Sequence, residues 1–321
     1  MLEIIATELM QIDRVLDGIV NDVSNNSSTI RPIVDRYLSL KDGQIRARAA
    51  LHFLVAKLDN YQADAALALA VSTELTYTAN KIHKEIFYLD ETALHSGAAH
   101  LRVLTGDYLF SLSSIQVANS NHIPAMKVAI NTLGKISEAS LNITFDQLYQ
   151  RLSQGYGYEA YEKDIEQRTG ALFDSAAEMG CLLAGVAPRL RQQFSRFALD
   201  LGTIQHLAKL QAEIAAQPSG DTRLTVDAAE LLLVFWNELC AANGNRTDVF
   251  SSCPPGEAGK AFYQAAEQAA RSRQTVSQHI GQKKQELVQR ALAQIPETLS
   301  SPAIGAALAE LVEIASLGQV N

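Results

Sequence analysis

Apolar residues recur at spacings of three and four along almost the whole chain, and the strict alternation that marks a half-buried strand is nearly absent. Residues 2–19 set the pattern, with Leu2, Ile5, Leu9, Ile12 and Leu16 on one stripe. A chain patterned this way buries its apolar faces by packing helix on helix, so the sequence predicts an all-α protein. Further helices are expected over 29–40, 63–85 and 97–118, then from Pro124 to about 139, where a missing N–H in the first turn is harmless. Others are expected from Ile165 through Val186, over 189–215 and 225–242, and as three shorter helices to the end. The segment QIRARAALHFLVAKL, residues 44–58, is apolar almost all round and should be buried. Asp42-Gly43, Gly155, Gly157 and Pro188 punctuate the pattern, and the sizeable loops near 215–223 and 244–259 hold no second core. One domain over residues 1–321 is the expectation.

Charge removes one class of function. A net charge of −8 leaves no concentrated basic surface for phosphate contacts, so no DNA or RNA partner is expected. No stretch approaches the roughly 20 apolar residues of a membrane span, and the opening MLEIIATELMQIDRVLDG carries acidic residues that a signal peptide would not. A cytoplasmic address without a membrane span is the default. Cys181, Cys240 and Cys253 are far apart and lack the paired spacing of a zinc site, so they read as buried or incidental thiols.

Three segments in order carry a family likeness. AVSTELTYTANKIHKEIFYLDETALHSG (70–97) places Glu74, Ala79, Ile82 and His83 ahead of a helix end. VLTGDYLFSLS (103–113) holds Gly106, Asp107, Tyr108 and Leu109, and YEKDIEQRTGALFDSAAEMGCLLAG (161–185) holds Arg168-Thr169. Together they resemble the trans-isoprenyl diphosphate synthases, or polyprenyl synthetases, from about residue 38 to beyond residue 213. The resemblance implies a single helical bundle of the isoprenoid-synthase type around a central cavity. It also implies a chemistry in which an allylic diphosphate ionises and its carbocation adds to isopentenyl diphosphate. Magnesium ions bound by two facing aspartate clusters stabilise the leaving diphosphate, because carboxylates four apart on a helix share a face and can grip one hard cation.

In this chain the first cluster of the resemblance falls on Lys84, Glu85 and Tyr88, and the second on Lys209, Leu210 and Glu213. One carboxylate remains in each. An ammonium in place of a cation's ligand turns attraction into repulsion, worth several kcal/mol at about 4 Å and the effective dielectric of a protein. No metal is therefore assigned, and no catalytic residue. The family segment that holds isopentenyl diphosphate resembles Lys41-Asp42-Gly43-Gln44-Ile45-Arg46-Ala47, with Arg46 in place and Arg48 displaced beyond it. His95-Ser96-Gly97 stands where the resemblance expects Arg-Arg-Gly. Arg46, Arg48, Arg168, Thr169 and His83 are the candidate substrate contacts.

Each candidate has a structural alternative. Lys84 and Lys209 can meet across the cavity as metal substitutes on a diphosphate, or pair with the nearby Glu85 and Glu213. His83 and His206 can act in the site or pack in the core. Asp90-Glu91 read as a turn or cap, and Tyr156, Tyr158 and Tyr161 as packing. The leading expectation is a catalytically silent homologue, the non-catalytic or regulatory subunit of a heteromeric prenyl diphosphate synthase, docking as a homo- or heterodimer through helices 97–118 and 122–139. A residually active prenyltransferase and a homo-oligomeric protein that binds a prenyl diphosphate are the alternatives.

Overall fold

In the computed structural model, which describes residues 2–26, 29–39, 44–86, 97–141, 145–216, 224–242, 257–297, 299 and 301–318, helices carry the chain and no strand occurs among the described residues. A 3-10 turn at Glu3–Ile5 leads into α1 (Ala6–Asn26), followed by α2 (Arg31–Leu38), α3 (Ala47–Ala56), α4 (Ala63–Ile86), α5 (Gly97–Asn119) and α6 (Ile123–Leu141). Next come α7 (Phe145–Ser153) and α8 (Tyr158–Ile165), then a π-helical turn at Glu166–Gly170 that runs into α9 (Ala171–Leu183). The chain continues through α10 (Pro188–Ala216), α11 (Val226–Ala242), α12 (Ala258–Ala269), α13 (Arg273–Gln294) and α14 (Pro302–Ser316).

Five elements depart from the periodic reading, among them α8, a helix where Gly155 and Gly157 marked only a break. α1 runs past residue 19 because its stripe continues to the buried Val20. α7 is too short for a periodic signal, yet Leu148, Tyr149 and Leu152 give it a buried face. The helix expected from 165 to 186 is interrupted by the π turn, whose i→i+5 register leaves no mark in composition. α13 spans 22 residues rather than forming a short element, and its polar surroundings hide a narrow stripe of Val276, Ile280, Leu287 and Ala291.

Every residue of α3 is buried, as its all-round apolar character requires. It packs against α4, α9 and α14; α9 packs in turn on α6 and α10, α4 on α5, and α10 on α13. The α3–α9 crossing is close because α9 carries Gly180, where a Cβ would stand 2.8 Å from the His52 carbonyl oxygen. Where the π turn meets α10, a Cβ on Gly202 would stand 3.0 Å from the Gly170 Cα. The buried apolar side chains form one continuous cluster from Leu2 to Ala315. At about 25 cal/mol per Å² of buried apolar surface, this cluster is the main stabilising contribution. It fixes α4 and α10 so that their C-terminal halves reach each other through long side chains, with the start of α11 beside them.

Candidate functional site

Tyr77, Lys81 and Lys84 share one face of α4, at i, i+4 and i+7. From α10, His206 and Lys209 face them at i and i+3, and from the first turn of α11 comes Asp227. Solvent still reaches this cluster: Lys209 is exposed, and Tyr77, Lys81, Lys84, His206 and Asp227 are half-buried.

Its electrostatics are dominated by ammonium groups. Lys84 Nζ stands 3.6 Å from Asp227 Oδ1. Lys81 Nζ lies 5.5 Å from the centroid of the Tyr77 ring. Against the pull of Tyr77, burial and the neighbouring Lys81 hold Lys209 below the usual lysine range. Burial alone would raise the Tyr77 phenol, but Lys81, then Lys209 and Arg48, outweigh it and bring the group down to about 7. Burial likewise works against ionisation of Asp227, yet Lys84, Arg168 and Lys81 hold its carboxyl well below the usual carboxylate range. His206 is pushed down to about 3, first by burial and then by Arg168, Lys84 and Lys209, against the pull of Asp227. The neutral imidazole shares a hydrogen bond at Nε2 with the Tyr161 hydroxyl, 2.8 Å away.

The arginines expected at substrate are held by carboxylates and carbonyls. Arg46 donates from Nε to Asp13 Oδ1 at 2.8 Å and from Nη2 to the Leu38 carbonyl at 2.7 Å. Arg48, fully buried, forks onto Glu74 through Nε at 3.1 Å and Nη2 at 2.8 Å, and its Cζ lies 3.6 Å from the centroid of the Tyr77 ring. Arg168 sits in the π turn and donates from both terminal nitrogens to Glu230 at 3.3 Å, with Thr169 half-buried beside it.

The lysines do not pair as the sequence suggested. Lys84 takes Asp227 rather than Glu85, which stands 3.3 Å from Arg102 and 3.5 Å from Arg36. Glu213 is the acceptor of the Thr225 amide at 2.6 Å and hydroxyl at 3.0 Å, so it fastens the start of α11 rather than Lys209. Leu210 is buried in the core. His83 packs: its Nε2 is 3.2 Å from the Val103 carbonyl and 3.3 Å from Asp107, and a Cβ on Gly106 would come within 2.2 Å of the ring. Tyr156, Tyr158 and Tyr161 are buried against one another and Phe235. Tyr88, Lys41, Asp42, Gly43, Asp90, Glu91, His95, Ser96 and Cys253 lie outside the described residues.

The sequence reading missed Tyr77, Lys81, Asp227 and Glu230. The first two stand at i−7 and i−3 from Lys84, so the helical period would have found them; Asp227 and Glu230 come from a helix remote in sequence and leave no local signal.

This donor set does not fit a divalent cation. Magnesium takes oxygen ligands and is held through one or more free carboxylates, whereas three ammonium groups surround a single carboxylate that Lys84 already engages. Among the described residues no group of three His, Cys, Asp or Glu side chains converges as a metal site. A cavity of about 470 Å³ lies elsewhere, between α6, the π turn, α9 and α10, and its lining of Lys135, Glu138, Glu166, Asp174 and Leu199 shares nothing with the cluster.

A family model described as polyprenyl synthetase matches residues 30–206. A prenyl transferase of Cyanidium caldarium is 25% identical over 215 residues, covering 63% of this chain and 62% of that protein. The heptaprenyl diphosphate synthase component 2 of Geobacillus stearothermophilus is 23% identical over 154 residues, 46% of each chain. The chain thus spans less than two thirds of the length of these curated relatives. The crystal structure of heptaprenyl diphosphate synthase from Staphylococcus aureus superposes with a TM-score of 0.73 over 97% of both chains at 12% identity, a likeness of fold. No helix among the described residues is long and apolar enough to cross a membrane.

Proposed function

Because the chain belongs to the polyprenyl synthetase family, we propose that it is a catalytically silent member, the non-catalytic or regulatory subunit of a heteromeric prenyl diphosphate synthase. One observation carries this reading. At the facing ends of α4 and α10 the leading positions of the two expected carboxylate clusters are Lys84 and Lys209, while Glu85 and Glu213 are turned to structural partners. A subunit valued for its surface would keep the fold without needing carboxylates at those positions.

The surface supports the same reading. Leu104, Ile115, Ile123 and Ile130 are between 53% and 65% exposed on α5 and α6, two helices in contact. Large side chains left in water on adjoining helices mark an interaction face, and lasting interfaces between subunits are large and apolar. That one relative is named as a component of a heptaprenyl diphosphate synthase fits a chain that assembles with a homologue.

The test is prenyl transfer from labelled isopentenyl diphosphate to an allylic diphosphate with magnesium, first by the purified chain and then by its mixture with the active synthase of the same cell. No turnover alone and a changed rate or product length in the mixture is the expected result. The names of the relatives favour a second reading, prenyl transfer by this chain itself. Turnover by the chain alone would establish it and end the subunit reading.

A further inference from the structure

A carboxylate drawn out of water without a cation beside it is held at a cost, and two such carboxylates line one cavity of this chain. The cavity, of about 470 Å³, lies between α6, the π turn, α9 and α10, and falls in the size range of small-molecule sites. Glu166 reaches it from the π turn, which sends the nearby Arg168 the other way onto Glu230. Asp174 comes from α9, Lys135 and Glu138 come from α6, and Ala171 and Leu199 add apolar wall.

Burial raises the carboxyls of both Glu166 and Asp174, and Glu162 and Asp200 add to the effect at Glu166. Cations of the chain do not cancel it. Arg290, which acts on Glu166, is engaged by Glu162 at 2.7 Å and by both oxygens of Asp200 at 3.0 Å. Lys135 and Ser195 offset the burial of Asp174 only in part. The lining thus sets three carboxylates, Glu138, Glu166 and Asp174, against the single ammonium of Lys135.

Spacing decides what kind of cation would fit. Glu166 and Asp174 are eight residues apart on one helical run, roughly 12 Å along its axis at about 1.5 Å per residue. Among the described residues no three His, Cys, Asp or Glu side chains converge closely enough to hold a metal ion. A point charge would answer one carboxylate and leave the others. Ammonium groups spaced along an alkyl chain would answer several and lay their methylenes on Ala171 and Leu199.

We propose that this cavity binds a linear aliphatic polyamine, with one terminal ammonium at Glu166, the other at Asp174, and Glu138 facing the chain from α6. Each ammonium donates charge-assisted hydrogen bonds to carboxylate oxygens, and Lys135 opposes the ligand. The site shares no residue with the facing ends of α4 and α10, so it stands whether the chain turns over by itself or joins another synthase.

The test is calorimetric titration of the full chain with spermidine, and separately with methylamine, at neutral pH in physiological salt, which screens diffuse attraction to exposed charge. The expected result is one spermidine per chain, bound at least tenfold more tightly than methylamine. Glu166→Gln combined with Asp174→Asn should weaken spermidine at least tenfold. Asp17→Asn combined with Asp64→Asn removes the same charge from exposed positions on α1 and α4, and should leave binding within twofold. Lys135 is exposed, and Lys135→Gln should tighten binding, a gain that a damaged fold would not give. Equal weakening by the two double variants would reduce the effect to a response to the net charge of −8 and overturn the proposal. So would no binding of spermidine, equal binding of methylamine, or weaker or unchanged binding in Lys135→Gln.

Discussion

Arg48 and Glu74 meet in full burial, Nη2 to Oε2 at 2.8 Å and Nε to Oε1 at 3.1 Å, with neither side chain more than 1% exposed. The pair ties α3 to α4 beneath the lysine cluster. Removing one partner of such a pair strands the other charge away from water, which costs about 3–5 kcal/mol. Glu74→Gln should lose stability of that order in urea denaturation. Arg31→Ala breaks an ion pair between side chains 55% and 40% exposed, and should cost less than about 1 kcal/mol. Similar losses for both variants would mean that burial does not set the strength of the Arg48–Glu74 pair.

Tyr77 should ionise separately from the other tyrosines. Burial opposes its ionisation, but Lys81, Lys209 and Arg48 prevail and bring it down to about 7, whereas burial raises Tyr61, Tyr156, Tyr158, Tyr161 and Tyr263. Absorbance near the phenolate band should show a single step around neutral pH that Tyr77→Phe removes and Lys209→Gln moves upward. The sign for stability follows: the folded value is below the unfolded one of about 10, so the unfolded chain holds the extra proton between them. The contribution of Tyr77 is present above about pH 10 and is lost as pH falls through about 7. A spectrum without the neutral step would place the phenol outside the reach of the lysines.

His52 sets an acid limit on the fold. It is fully buried, its Nδ1 donates to the Ala176 carbonyl at 3.0 Å, and burial pushes it down to about 4 against the raising effect of that bond. The unfolded chain therefore binds the proton first as pH drops below about 6.5, and stability falls by at most about 1.4 kcal/mol per pH unit until the folded group titrates near 4. Stability from urea denaturation between pH 7 and pH 4 should fall by up to about twice that slope, because His206 is also pushed down, and His52→Gln should remove about half of it. An unchanged slope in the variant would shift the acid sensitivity to other groups, with His206 the next to test.

The helices were legible because burial in an all-helical protein writes itself at every third or fourth residue. α3, with every side chain buried, and α10, from Pro188 to Ala216, stand where the pattern put them. The π turn was not legible, since a change of register alters no composition, and it aims Arg168 at Glu230. Lys84 and Lys209 could be named from sequence, but their surroundings could not. Asp227, which faces both, comes from another helix, and Glu85 and Glu213 are adjacent or near in sequence yet turned away in space. Sequence spacing reports which residues share a helix face; it is silent on which helix answers them.

Gly180 should be as exacting as any large core residue. A Cβ there would meet the His52 carbonyl oxygen at 2.8 Å and the Val55 Cβ at 3.1 Å, and backbone cannot swing aside as the end of a side chain can. Gly180→Ala should therefore lose about 1–3 kcal/mol through overpacking, although alanine is the better helix former. Thermal melts would show a lower midpoint; an unchanged or higher one would mean that α3 and α9 separate without cost.

The exposed Leu104 of α5 and Ile130 of α6 distinguish an assembled chain from a solitary one. These side chains are 64% and 62% exposed, so replacing them removes little packing within the chain, and surface changes of this kind stay within about 0.5 kcal/mol. In an interface the same change would set two carboxylates against apolar surface, and an unpaired charge buried in that way is expensive. The double variant Leu104→Asp, Ile130→Asp should keep the parent melting temperature and sediment as a smaller species, alone or in a mixture with an active synthase. Equal mass for parent and variant in both conditions would rule this face out as the docking surface. A lower melting temperature at equal mass would instead place these residues in the packing of α5 on α6.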